Sequence, residues 1–425
     1  MESIRFPHKM IKESGFLDQV TEFFSGDFLE KSARDTKFIQ RSTSNISGLM
    51  FLSLHVFGEN SLAQTSLNDQ CDFLEDEFGI RPTKQSLDER YNTYAVSFLK
   101  TCFENVVREV LIKQKGYDYL RARFSRIRIG DATSFQLPKS FAPFYESAGG
   151  DTSESSIKIQ YEYDVISGGF LELQLGCGRR NDAEYLEKCG SPIMPNDLII
   201  KDLGYYQHKH FNTIGQLKAY FISRYKSGAN LYSKDIAGKW KKEPLGGLLS
   251  KTQGIYSRHL FLGQEKTPIR LVVMPVPEEL ALKRIEKLRK TANHKKWNLS
   301  DDRLKMCHFN IFITNIEDEL SDQTLVDLYS LRWQIELIFK IWKSIFEIDQ
   351  VGHTNIFRFE CYLYGRLIAI CLMQNIHSLF KEYLIKKGFE PSEWKGFKIL
   401  KKNPSTSFVN LEGTEQPNEI PQSSL

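Results

Sequence analysis

The stretch SIKIQYEYDVISGGFLELQL, residues 156–175, constrains the fold more than any other. Apolar and polar side chains alternate through two runs, and Ser167, Gly168 and Gly169 stand between them. A period of two sends successive side chains to opposite faces of a strand, and a small-residue break joins two such strands into a hairpin. RIRIGDATSFQL, ending before Pro138, predicts a third strand, and NDLIIKDLGYY a fourth that runs into Asp202. Between the hairpin and that strand, DAEYLEKCG reads as a short helix ending on glycine. Three antiparallel strands, a helix and a further strand define a mixed α/β core.

On either side the periodicity changes. Residues 1–122 carry helical apolar spacing in SGLMFLSLHVFG, SLNDQCDFLEDEF and YAVSFLKTCFENVVREVLIKQ, which predicts an N-terminal helical domain. Within it, a helix ending at Phe78, a turn with Gly79 and Pro82, and a second helix capped by Thr83 have the outline of a helix-turn-helix. Lys84 and Arg90 on that second helix are its candidate DNA contacts. After the first part of the core, residues 123–210, comes a basic β-rich insertion over 211–305. The second part of the core follows over 306–385, with FECYLYGRLIAICLMQNIHSLF as a final core helix, and then a polar tail over 386–425.

The formal charge of +4 hides a strong asymmetry. Residues 1–100 hold 11 Lys and Arg against 15 Asp and Glu, whereas residues 201–300 hold 20 against 7, a local balance of +13. Such a segment suits a polyanion, and aromatic residues interleaved with the cations in GYYQHKHF, SRYKSGANLY and GKWKK suit nucleic acid, whose bases stack on rings. A two-carboxylate glycoside hydrolase would call for an acidic cleft instead. Seven cysteines, none in a Cys-x-x-Cys pair, read as reduced packing residues. The sequence has no apolar run of membrane-spanning length and no signal-peptide block at its start, so the expected location is the cytoplasm.

Three acids stand where acids are costly or exposed to use. Asp131 interrupts the apolar strand IRIGDATSF, Asp202 closes LIIKDLGYY, and Glu336 lies in YSLRWQIELIFKIWKS, residues 329–344. Treated as one α-helix at 100° per residue, that last stretch places Tyr329, Arg332, Glu336 and Lys343 in one wedge of roughly 60°, along the rim of its broad apolar face. Three carboxylates on separate elements can seat two divalent cations and drive chemistry at phosphorus.

Together these residues resemble the DDE transposases of bacterial insertion sequences, in the branch called the insertion-sequence-four family. The first acid stands in GDATSFQLP, the second in DLGYY, and Tyr329, Arg332, Glu336 and Lys343 reproduce that branch's spacing of tyrosine, arginine, glutamate and lysine. The gap of 134 residues between Asp202 and Glu336 is similar to the family's own, which houses a β-strand insertion. The resemblance covers about residues 45 to 380 and implies an α/β (α+β) fold with a ribonuclease H-like catalytic core interrupted by that insertion. It implies that Asp131, Asp202 and Glu336 are catalytic and hold two Mg2+ ions, with Mn2+ able to substitute, and that Tyr329, Arg332 and Lys343 grip DNA phosphates. The implied partner is double-stranded DNA, both transposon ends and target, engaged by a homodimer in a synaptic complex. A catalytically inactive or domesticated DNA-binding derivative is the alternative. Tyr205, Tyr206, Trp240 and Trp297 are the aromatic residues from which a base-flipping side chain would be drawn.

Overall fold

A computed structural model describes residues 26–41, 44–58, 66–109, 120, 122–148, 154–167, 169–182, 184–185, 192–250, 254–317, 319–352, 354–386 and 395–398. The expected polar tail falls largely outside these residues. Ten strands form one sheet in the order β3-β2-β1-β4-β5-β10-β9-β8-β6-β7. The first half is β1 (Arg126–Gln136), β2 (Ser156–Asp164), β3 (Phe170–Cys177), β4 (Asp197–Lys201) and β5 (Tyr220–Arg224). β1 pairs antiparallel with β2 and β2 with β3, whereas β4 lies parallel to β1 and β5 parallel to β4. The order 3-2-1-4-5 with this polarity is ribonuclease H-like, and the predicted hairpin is the β2–β3 pair.

The remaining strands are β6 (Leu231–Lys234), β7 (Trp240–Glu243), β8 (Tyr256–Leu262), β9 (Thr267–Pro275) and β10 (Phe309–Thr314). β10 sits between β5 and β9, antiparallel to both, so the β-rich insertion extends the core sheet instead of forming a separate body. β5 pairs with β4 through Leu198–Tyr220, Ile199–Phe221 and Ile200–Ile222, and so completes the core before the insertion begins. The single strand FISR carries too short a pattern to show which neighbour claims it.

The helices before the sheet are α1 (Gly26–Asp35), α2 (Gly48–Phe57), α3 (Leu67–Phe78), α4 (Lys84–Asp88) and α5 (Thr93–Glu109). Ser66 and Asp69 close a reciprocal capping box at the start of α3, Gly79 takes the left-handed conformation at its end (φ 68°), and Thr83 caps α4 through Ser86 N–H. The expected helix, turn and helix therefore form, although α4 is only 5 residues long. The long apolar helix α12 (Ile356–Lys386) packs against α2 and α5. Its Gly365 lies so close to α2 that an added Cβ would stand 2.3 Å from His55 Cβ, which fixes glycine at this crossing.

Beneath the sheet's parallel part runs a buried ionic network. Arg128 on β1, 2 % exposed, donates through Nε to Glu162 on β2 (2.5 Å) and through Nη1 to Asp197 on β4 (3.2 Å). Lys201 on β4 donates to the other Glu162 oxygen (2.8 Å), and Arg126 to Asp197 (2.5 Å). Burial alone would push the Glu162 carboxyl up, but Lys201 and Arg128 override it and hold the pKa at about 2. Glu162→Gln would leave two buried cations short of charge. The expected loss is about 3–5 kcal/mol in urea unfolding, and a loss below about 1 kcal/mol would refute the role given to this network.

Candidate active site

Parallel pairing of β1 with β4 sets Gly130 opposite Lys201, so the next residues, Asp131 and Asp202, arrive at the same level on neighbouring strands. Strand ends of an α/β sheet are where ligand sites gather. A Cβ on Gly130 would meet Lys201 Cε at 2.8 Å, so a larger residue would have to displace the lysine that pairs with Glu162. Asp202 turns the chain into a 3-10 turn over Leu203–Tyr205 without capping it through its side chain.

The third acid arrives on helices. α10 (Asp322–Ser330), capped by Ser321, and α11 (Trp333–Ser344) replace the single helix expected over 329–344. Between them the bonds are of the i to i−3 kind, Arg332 N–H to Tyr329 O (3.1 Å) and Ile335 N–H to Arg332 O (3.2 Å). A 3-10 turn is wound more tightly than an α-helix, so the polar stripe does not lie along one straight rod. The turn puts Arg332 at the junction, its guanidinium directed at the sheet. Nη1 reaches Asp131 Oδ2 (3.3 Å) and Nη2 reaches Glu336 Oε1 (2.5 Å). One guanidinium thus spans the first and third acids, 201 residues apart in sequence for the first pair. Lys343 donates to the Ser134 carbonyl on β1 (2.9 Å), fastening the far end of α11 to the same strand.

Burial raises the Asp131 carboxyl from 3.8 to about 6; Ala132 N–H (2.8 Å) and Arg332 oppose the rise, and the charges of Asp202 and Asp182 reinforce it. Asp182 was not anticipated. It accepts from Gln160 Nε2 (2.8 Å) and Lys158 Nζ (3.1 Å), and its Oδ2 would lie 3.1 Å from a Cβ on Gly204. No periodicity marks it in RRNDAEYL, since its place depends on how the chain returns across β2. Gln160 also accepts from the Tyr205 hydroxyl.

Tyr329 is buried, its ring 5.0 Å from that of Phe312, and burial raises its phenol. Its hydroxyl lies beside the Arg332 guanidinium, and neither that hydroxyl nor Arg332 Nε makes a hydrogen bond of good geometry among the described residues. Two polar groups so placed in a cleft are costly unless a ligand or water meets them. Of the other sequence candidates, Tyr205 borders the cleft, in the turn after Asp202. Lys84 faces solvent on α4. Arg90 is instead turned into the helical domain, donating to Ser44 Oγ (2.6 Å) and the Phe38 carbonyl (3.3 Å), because its long arm reaches back over the Phe38 ring. Tyr205 and Tyr206 are buried packing residues, whereas Trp240 and Trp297 are about 40 % exposed.

All three acids offer oxygen, which suits hard cations such as Mg2+ or Mn2+ and not a zinc site built on His or Cys. Among the described residues no three His, Cys, Asp or Glu side chains are grouped at metal-binding distance. Arg332 occupies the space between two of the acids and supplies the charge that such ions would bring.

A ribonuclease H-like sheet delivering two aspartates, with a glutamate brought over them by a helix, defines the DDE class of nucleic-acid enzymes. Residues 122–372 match the family model described as Transposase DDE domain, and the chain belongs to this metal-dependent transposase family. It is similar to the transposase for insertion sequence element IS1151 of Clostridium perfringens, 33% identical over 97% of this chain and 89% of that one. It is also similar to the transposase for IS231F of Bacillus thuringiensis subsp. israelensis, 30% identical over 94% of this chain and 88% of that one. Among solved structures, a piggyBac transposase synaptic complex with hairpin DNA aligns with a TM-score of 0.49 at 13% identity, covering 100% of this chain and 90% of that chain.

Asp131→Asn removes a charge that the fold disfavours. The rise from 3.8 to about 6, on a side chain 22% exposed, corresponds to at most about 3 kcal/mol at neutral pH. A carboxyl whose folded pKa is raised weakens the fold as pH climbs from 3.8 to about 6. Calorimetry at pH 7 should therefore show the variant's Tm higher by a few degrees. Added Mg2+ should raise the Tm of the unsubstituted chain and leave that of the variant unmoved; an equal Mg2+ shift in both would remove Asp131 from the ligand set.

Proposed function

We propose that this chain binds the terminal inverted repeats of an insertion sequence, cleaves the ends and joins the freed 3′-hydroxyls to target DNA by two-metal phosphoryl transfer. The observation that carries the reading is the contact of one guanidinium with Asp131 and Glu336 in the cleft where Asp202 also arrives. Asp131, Asp202 and Glu336 would hold the ions. When bound, Mg2+ supplies an activated water or 3′-hydroxyl and a charge to meet the departing oxygen.

The protein's own groups position the DNA. Arg332 presents a planar fork suited to a phosphate, and its Nε is a donor without a partner among the described residues. The Tyr329 hydroxyl lies beside that guanidinium and can donate to a second phosphate oxygen. Lys343 uses one donor on Ser134 and has two others to offer. Glu336, 47% exposed, can leave Arg332 as a phosphate takes its place. Asp182, through Lys158 and Gln160, braces the turn that follows Asp202.

The reading includes a helical domain over residues 1–122 that helps to recognise the ends, with Lys84 as a contact, a two-part core, and an insertion that begins after β5. It also includes a homodimer that brings two ends together in the bacterial cytoplasm. Among the described residues no helix is long and apolar enough to cross a membrane. The alternative of an inactive derivative is disfavoured because all three acids and the tyrosine, arginine and lysine of the signature are present.

The test is a Mg2+-dependent nicking assay on duplexes carrying the element's ends. Asp131→Asn, Asp202→Asn and Glu336→Gln should each retain end binding within a few-fold and lower strand cleavage by 10³-fold or more, about 4 kcal/mol of transition-state stabilisation. Cleavage at the unsubstituted rate in any of the three would reject that residue's assignment.

A further inference from the structure

The chain leaves β9 at Pro275 and returns to the sheet at Phe309 through α8 (Glu278–Lys295) and the short α9 (Asp301–Met306); α6 (His208–Gln216) and α7 (Leu245–Leu249) precede them. β9 is antiparallel to β10, β10 antiparallel to β5, and β5 parallel to β4. β9 and β4 therefore point the same way, and α8 springs from the same edge of the sheet at which Asp131 and Asp202 arrive. From β1 to β9 is four strand spacings, about 19 Å.

α8 rests on the protein through one face. Ala281 and Ala292 are buried, and Arg284 donates to Asn310 Oδ1 (2.9 Å) and to the Phe309 carbonyl (3.3 Å). On the opposite face Lys283, Lys287, Lys290 and His294 recur at steps of four, three and four residues, all exposed. At 100° per residue they fall within roughly 60° of one another and extend over about 16 Å of helix. Lys283 and Lys290 are bordered by Glu279 (2.6 Å) and Glu286 (2.7 Å), exposed pairs of a kind worth only a few tenths of a kcal/mol. Past the helix end, Trp297 is exposed beneath Arg303 (4.9 Å) and Lys295 (5.7 Å).

We propose that α8 is a second contact surface for duplex DNA, with Lys283, Lys287 and Lys290 seated on backbone phosphates beside the acid cleft. The proposal rests on the reading of the chain as a DNA transposase and assigns this helix a share in it. A row of ammonium groups facing solvent on the catalytic edge matches the charge of a duplex backbone, and point charges without a rigid fork suit contact that ignores sequence.

Binding of the full chain to a short labelled duplex of arbitrary sequence, titrated over a range of salt, tests it. Lys283→Gln/Lys287→Gln/Lys290→Gln should weaken binding about 10-fold or more at low salt. The slope of log affinity against log salt should become shallower by about 2 to 3, near 0.9 for each phosphate that is no longer neutralised. Glu279→Gln/Glu286→Gln should tighten binding at low salt, a change that a damaged fold does not produce. If the unsubstituted chain binds and the lysine variant keeps its affinity and slope, the assignment of α8 is overturned while the transposase reading stands. If the unsubstituted chain binds no duplex at all, both are overturned.

Discussion

The geometry of the candidate cleft depends on charges held in or at the edge of the interior. Arg128, Glu162, Lys201 and Asp197 bind β1, β2 and β4 to one another beneath the acids, and each of these strands supplies or braces a cleft residue. A purely apolar core would bury the same strands with less demand on their register. The ionic network admits only one, because slipping a strand by a single residue would strand a charged group in the interior. Lys201 directly precedes Asp202, and Arg128 lies three residues before Asp131. The positions of the two aspartates therefore follow from the pairing of their neighbours.

Above that foundation the acids repel one another. Burial raises the Asp131 carboxyl, and the charges of Asp202 and Asp182 add to the rise. Arg332 relieves it from the 3-10 junction between α10 and α11. An uninterrupted α-helix turns about 100° per residue against about 120° in the 3-10 turn, and would leave the arginine on a different azimuth. The tighter turn is what lets a single guanidinium meet both Asp131 and Glu336.

Much of this was legible from residue order. Alternation marked the hairpin and β1, the apolar run before Asp202 marked β4, and Ser66, Gly79 and Thr83 behave as the caps and stops their chemistry favours. The spacing of Tyr329, Arg332, Glu336 and Lys343 was read on one helix, whereas the chain divides there into α10 and α11. Three features were not legible, each for a tertiary reason. Asp182 reaches the site only because β3 folds back across β2. Arg90 turns inward because Phe38 and Ser44, some fifty residues earlier, accept its donors. The place of β5 is decided by partners on both sides, one of them β10.

That last pairing has a bearing on how the chain is made. β5 ends at Arg224 and its second neighbour begins at Phe309, 85 residues later. At a ribosomal pace of about 5–20 residues per second, the backbone of β5 waits roughly 4–17 s with one side unzipped. Until then that edge of β5 has unpaired backbone donors and acceptors, the kind of edge to which another strand can add.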